Sequence, residues 1–472
     1  MNELKRSLDL KTSIAIVIGG VIGSGIFMKP ALMASQLGSP LLLLGVWLIA
    51  GCVTLLGALS NAEAASMFPE TGGQYVFFQK MYGQGFAFLY GWASFSVINT
   101  AGNASIAYVC SQYTNYFFEL PRLSEITETS LKIYIPFVGS IFPLQNIGVK
   151  LLTALLLIAL SSINYFSLSY GAGLQRFLTT LKALAIFLLI FGIFFSGKGD
   201  LHNVTAAASS VPGGLALLSA CMAAISGAFW AYDGWNNITF VAGEIKDAQR
   251  TIPKSLFIGI SFCILTYLLV NLAYLYVLPV EEMATSAFAA SDAAMVVWGS
   301  IGGSIVALLV IMSTLGTANA NILSTARVTF AMSRENKWFM RAGKIQPRYN
   351  TPGNALILNT IWACVLVFSG SFDMLTDMLI FVSWFFYGMS ALGIFILRKK
   401  LKEVERPYKV WGYPLVPAVF VIFTFVFLCS TFYTDVKNYA NGTSPFINSL
   451  FGVLLTIIGI PIYYLSGKKA SS

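Results

Sequence analysis

Charged side chains are scarce in this sequence. They make up 10% of its 472 residues, against about 25% in soluble domains, while 57% of the chain is apolar. A soluble domain cannot hide that much apolar surface, so the composition points to a polytopic membrane protein. Histidine occurs once, at His202 in a predicted loop, which argues against metal chemistry built on histidine clusters; no metal and no cofactor are expected. The six cysteines (Cys52, Cys110, Cys221, Cys263, Cys364 and Cys429) lie scattered in apolar runs without a C-x-x-C spacing, so neither a disulfide framework nor a zinc site is indicated. Met1 to Lys11 lacks a small-residue cleavage pattern, and no removable signal peptide is expected. The net charge of +9 is not gathered in one patch, so nucleic acid is not an expected partner.

What the chain has in abundance is apolar runs of membrane-spanning length. They fall near 14–36, 40–67, 84–118, 147–167, 174–196, 213–243, 254–279, 292–332, 354–371, 374–397, 413–434 and 446–466. This predicts an all-α fold of twelve spans. Gly38-Ser39-Pro40, Pro352-Gly353 and Gly412-Tyr413-Pro414 punctuate it. With the N-terminus in the cytoplasm, the cytoplasmic loops carry Lys80, Arg176, Lys246, Arg250 and Lys254. They also take the basic residues from Arg334 through Lys337 to Arg348 and from Arg398 to Lys409. The opposite side takes only Lys29, Arg122, Lys132, Lys150, Lys198 and Lys437. That bias predicts cytoplasmic termini on both ends.

Two spans are interrupted. In the first, Ile14 to Phe27 reads as a membrane helix until Gly23-Ser24-Gly25, where glycine makes a break in the helix cheap. Unwound backbone at membrane depth is tolerated where it lines a cavity or binds a ligand. The alternative is close helix packing through Gly19-x-x-x-Gly23. In the sixth run, Asp233, Gly234, Asn236 and Asn237 interrupt an otherwise apolar stretch, at a cost unless they face a polar cavity or cap a helix end. Paired broken spans in corresponding places predict two inverted halves with a site near the midplane. The expected divisions are 12–200, 213–400 and a trailing pair of spans over 410–467.

The chemistry of such breaks is complementary. The first frees N–H groups at the start of a second half-helix, from Ile26 onward, which suit a carboxylate. The second frees carbonyls near Trp230 and Ala231, which suit an ammonium. Together they suit a zwitterion, hence an α-amino acid. Asp233 reads either as the N-cap of the second half of run six or as a pocket carboxylate for a basic substrate. Trp230 reads as a lid or as packing. Lys182 is the one charge inside run five, roughly 10 Å from its cytoplasmic end. It either snorkels to the interface or stands as a fixed ammonium beside the broken helix, holding freed carbonyls. Asn99, Asn103, Asn319, Asn321 and Ser383 either line the cavity or bond helix to helix.

Four motifs in order resemble the L-type amino acid transporters of the amino acid–polyamine–cation superfamily. They are Gly20-Val21-Ile22-Gly23-Ser24-Gly25-Ile26-Phe27, Ala62-Glu63 through Gly73-Gln74-Tyr75, Ala231-Tyr232-Asp233-Gly234-Trp235-Asn236, and Arg398 through Glu405-Arg406-Pro407. The resemblance implies a five-plus-five inverted repeat and sodium-independent obligatory exchange of amino acids. It implies carboxylate-binding amides at Ser24, Gly25 and Ile26 and amine-binding carbonyls at Val21, Trp230, Ala231 and Asp233. It also implies an aromatic gate at Trp230, a functional lysine at Lys182, a distal-pocket residue at Trp384, and roles for Asn103 and Tyr232. Animal members often carry glycine where this chain has Asp233, while transporters of cystine and basic residues can carry aspartate; neutral and broader substrate ranges both stay open. The stretch from Phe117 to Asn146 has no cysteine, so no disulfide-linked heavy chain is expected and the chain looks like a stand-alone bacterial member of the cell membrane.

Three other classes compete. A proton-coupled symporter would use Lys182 as its titrating group. An intramembrane enzyme with Ser24 as nucleophile lacks a base, the only histidine being in a loop. A channel would need a repeated filter sequence, and the chain has none.

Overall fold

The computed structural model describes residues 6, 8–166, 168–208, 211–335, 341–349 and 351–465, with the side chains of 168–180, 334 and 335 left aside. Lys337 and the side chains of Arg176 and Arg334, counted above for orientation, lie outside the described residues. The chain runs through α1 (Leu10–Val21), α2 (Gly25–Leu37), α3 (Pro40–Met67), α4 (Gln74–Tyr82), α5 (Gln84–Ala93), α6 (Asn99–Thr114) and α7 (Glu125–Ser130). A hairpin follows, β1 (Ile133–Ile135) with β2 (Gly139–Ile141), then α8 (Ile147–Phe166), α9 (Leu168–Phe194), α10 (His202–Thr205), α11 (Gly214–Tyr232) and α12 (Asn237–Phe240). The remainder is α13 (Ala248–Val277), α14 (Val280–Thr285), α15 (Ala289–Glu335), α16 (Gly353–Ser369), α17 (Phe372–Lys400), α18 (Leu415–Ala440), α19 (Asn448–Ile457) and α20 (Gly459–Leu465). Helix lies at each of the twelve expected positions. Among the described residues, eight helices are long and apolar enough to cross a membrane, and α1 with α2 passes as a ninth bent by 42°.

Local chemistry sets the ends of these elements. The Asp9 carboxylate accepts from Thr12 N at 2.9 Å and caps α1. Ser39 and Pro40 open α3 in the order expected at a helix start, with the serine as cap and the proline in the first turn. Gly38, with φ of 59°, ends α2 in the left-handed conformation. Ser371 caps α17 through Met374 N. A π-helical turn, Ser94–Ile98, joins α5 to α6 without a break in the helix. Gly299, at φ of 71°, divides α15 into two helical stretches.

The apolar faces pack α3 and α1 along α13, α2 along α11, and α15 against α6 and α9. This places the interrupted α1–α2 and α11–α12 pairs at the centre of the molecule. The described structure is not wholly helical. The hairpin, with Tyr134 opposite Ser140, lies over the start of α17 through Val138, Met374 and Phe446. His202, expected in a loop, opens the single turn of α10.

Candidate functional site

Both interruptions exist, and they touch. Helix α1 stops at Val21, Ile22 is extended with ψ of 97°, and α2 begins at Gly25. Among the described residues, nothing accepts from the N–H groups of Ser24 or Ile26, and the buried Ser24 hydroxyl has no partner. Helix α11 stops at Tyr232, Asp233 is extended with ψ of 158°, and Gly234 takes φ of 96°. A Cβ at Gly25 would lie 2.5 Å from the Ala231 Cα, and one at Gly234 would lie 2.6 Å from the Gly20 carbonyl oxygen. Glycine is therefore required here by close approach of two backbones, and at Gly234 also by its dihedral angle.

This revises the packing alternative. Gly19 has nothing within 4 Å of its would-be Cβ, and Gly23 comes no nearer than the Thr317 methyl at 3.3 Å. Gly20 and Gly25 make the close contact, not the Gly19-x-x-x-Gly23 pair.

The freed carbonyls are occupied by two side chains. The Tyr267 hydroxyl, from α13, lies 2.8 Å from both the Val21 and the Ala231 carbonyl oxygens. A phenol carries one proton, so it serves these two acceptors one at a time; an ammonium, with three donors, would serve both. Lys182 is 3% exposed and donates to the Ile22 carbonyl, to the Gly19 carbonyl at 3.3 Å and to Thr317 Oγ1 at 2.7 Å. It does not snorkel. It is fixed beside the first break, bonded to three neutral oxygens.

Asp233 does not cap α12. The residue before α12 is Asn236, which makes no capping bond, and the Asp233 carboxylate accepts instead from the Tyr387 hydroxyl of α17 at 2.6 Å. An extended residue at the end of α11 points its carboxylate away from the N–H groups three residues on. Trp230 is 8% exposed and meets Phe372 edge-on at 5.1 Å. Trp384 stacks on Phe229 at 3.6 Å. Tyr232 turns its ring into a cluster with Trp47 and Tyr267 and donates to the Trp47 carbonyl at 3.2 Å.

The polar residues in spans mostly pair between helices. Asn164 donates to Asn319 at 2.8 Å and Asn237 to Asn321 at 3.0 Å. Asn103 reaches Thr325 at 3.4 Å and lines a narrow cavity with Ser161, Asn359 and Thr360, so its side chain is engaged among α6, α8, α15 and α16 and not at the breaks.

Sequence reasoning missed Tyr267, Thr317, Tyr387 and the role of Lys29. A tyrosine in an apolar run looks like packing, and only the fold brings its hydroxyl to two broken helices. Lys29, counted among outer charges, is buried in α2, where it donates to Asp373 at 2.8 Å and Thr376 at 3.1 Å. At the far end of α17, Glu63 takes a bidentate bond from Arg398 (2.9 and 2.6 Å) and another from Val410 N at 2.8 Å. Tyr413 lies 3.6 Å from the same guanidinium. The signature after the second span and the basic end of the tenth thus meet in one ion pair.

The chain is similar to known proteins over nearly its whole length. The profile described as amino acid permease matches residues 8–460. The serine/threonine exchanger SteT of Bacillus subtilis (strain 168) is 30% identical, over 100% of this chain and 99% of its own length. The human b(0,+)-type amino acid transporter 1 is 30% identical over 98% of this chain and 88% of its own. The human cystine/glutamate transporter is 29% identical over 98% and 85%.

Proposed function

The chain belongs to the amino acid permease family, and on that premise we propose that it is a sodium-independent exchanger of neutral L-amino acids, working by alternating access in the cell membrane with both termini cytoplasmic. One observation carries the proposal. A single hydroxyl, that of Tyr267, bridges the Val21 and Ala231 carbonyls of two interrupted helices while the Ser24 and Ile26 amides beside them have no acceptor among the described residues. Donors on one break and acceptors on the other fit the two ends of an amino acid. The carboxylate takes the amides of Ser24, Gly25 and Ile26. The ammonium takes the carbonyls of Val21, Trp230, Ala231 and Asp233 in place of the tyrosine hydroxyl, with Trp230 as lid and Tyr232 holding the end of α11.

Sodium independence follows from Lys182. Its ammonium already bonds the Gly19 and Ile22 carbonyls and the Thr317 hydroxyl, a set of oxygens that would otherwise suit a small cation. The halves 12–200 and 213–400 are inverted copies on this reading, supported by breaks in corresponding spans that lie side by side. The named serine/threonine exchanger among the relatives supports a small neutral substrate. Asp233 supports a wider range, since its carboxylate, bonded to the Tyr387 hydroxyl, is an acceptor that suits a basic side chain.

The test is uptake of labelled L-serine and L-leucine into proteoliposomes. Uptake is expected only when the lumen holds amino acid, with or without sodium. A second reading, proton-coupled symport, would use Lys182 as the titrating group, its ammonium being bonded to neutral oxygens and to no carboxylate among the described residues. Uptake into empty vesicles driven by an imposed pH gradient would favour it over exchange.

A further inference from the structure

We propose that Lys29 is the positioning residue that shuts the Trp230 lid and seals the outer path to the amino acid site. The word "outer" and the lid rest on the exchanger reading above; the contacts do not. Lys29 stands on α2, one turn beyond the amides of Ser24 and Ile26. Its stem crosses α11 at Gly227, where a Cβ would lie 3.4 Å from the Lys29 Cδ. Its ammonium then bonds Asp373 and Thr376 on α17 and sits 4.7 Å from the centre of the Phe372 ring and 5.8 Å from that of Trp230. One cation therefore ties together the two helices that carry the half-sites and the helix that faces them. It also lies over the edge-on pair of rings that covers the site, where a desolvated ammonium is attracted to aromatic faces.

The two ends of α17 show which contact is built to break. At the other end Glu63 is 1% exposed and held by two guanidinium nitrogens of Arg398, Nε and Nη2. Separating that pair would strand a buried charge. At the Lys29 end the ammonium is also buried, at 2% exposed, but a single bond joins it to a carboxylate that is 57% exposed and open to water, and the Thr376 hydroxyl stays on the ammonium when that carboxylate leaves. Helix α17 is thus clamped at one end and latched at the other. Breaking the latch loosens α2 from α17, and Trp230 and Phe372 lose the cation that spans them.

The test is made on the full-length protein in proteoliposomes of one orientation, with labelled L-serine. Half-saturation is measured from each face for wild type, Lys29→Gln, Asp373→Asn and Asp373→Glu. A weakened latch raises the outward-open fraction, so affinity rises at the outer face and falls at the inner face. For Lys29→Gln and Asp373→Asn the ratio of inner to outer half-saturation is expected to rise roughly three- to ten-fold, and Asp373→Glu should keep the wild-type ratio. An unchanged ratio, or equal shifts at both faces, overturns the latch. Asp373 is solvent-exposed, so its variants carry the test if Lys29→Gln fails to fold. Hydrogen exchange of 25–37 and 371–376 is read in parallel and needs no transport. Faster exchange there in Lys29→Gln and Asp373→Asn supports the latch even if wild type moves no amino acid, a result that would sink the exchanger reading alone; unchanged exchange counts against the latch.

Discussion

At the scale of single residues, the site is a contest for two carbonyls. In the structure Tyr267 holds Val21 and Ala231 with one proton, and on the proposed reading an amino acid displaces it. Tyr267→Phe strands both buried acceptors in the empty protein, at a cost of about 1–3 kcal/mol, and that cost is relieved when an ammonium arrives. Its melting temperature without ligand should therefore fall, and the rise in melting temperature on adding substrate should exceed that of wild type. A smaller rise would show that the hydroxyl assists binding instead of competing with it. Gly25→Ala drives a methyl into the Ala231 backbone at 2.5 Å; it should abolish exchange and cost roughly 1–3 kcal/mol of stability. Gly19→Ala, with open space around it, should leave both within measurement error. Lys182→Ala removes three bonds at the first break and should cut exchange at least ~10-fold, the equivalent of about 1.4 kcal/mol, in a protein that still elutes as a folded species.

At the scale of elements, α17 connects the two faces of the molecule. Arg398→Ala leaves Glu63 buried without its bidentate partner, with Val410 N at 2.8 Å and the more distant Arg406 at 3.5 Å, and should destabilise by about 3–5 kcal/mol. Arg398→Lys should rescue little, since an ammonium cannot make the forked bond. Thermal melting in detergent checks both. The sequence made both members of this pair legible as motifs, around Glu63 and around Arg398, but could not pair them. Glu63 and Arg398 are 335 positions apart, and only the fold says that α3 ends where α17 ends. The broken spans were legible because glycine and asparagine weaken a helix in hydrocarbon unless the backbone opens there. Their partners were not: Tyr267, Thr317 and Tyr387 are ordinary residues for a helix, and their function comes from the helix facing them. Asp233 shows the same limit. The residue type suited a cap, but the dihedral angles at the end of α11 aim the carboxylate at α17.

At the scale of the whole molecule, composition alone decided the solvent, and helix lies at each of the twelve apolar runs, with eight described helices long and apolar enough to cross a membrane and the bent α1–α2 pair a ninth. What it could not reveal was how those spans pack. Asn103 bonds across to Thr325 of α15 and lines a narrow cavity there, the helix-to-helix reading that the sequence left open beside a role in the site. The distribution of basic residues still makes a testable statement about orientation. Lys402 and Lys409 on one side and Lys132 on the other are all exposed. An amine reagent that does not cross membranes should label Lys132 in intact cells, and Lys402 and Lys409 only in inverted vesicles; the reverse pattern would turn the protein over.

The most direct test of the account is a structure of the protein with a transported amino acid bound, at a resolution that places its carboxylate and ammonium. The carboxylate should lie on the amides of Ser24, Gly25 and Ile26, and the ammonium within hydrogen-bond distance of the Val21 and Ala231 carbonyls, with the Tyr267 hydroxyl displaced. An amino acid found elsewhere, with that hydroxyl still bridging the two carbonyls, would contradict it.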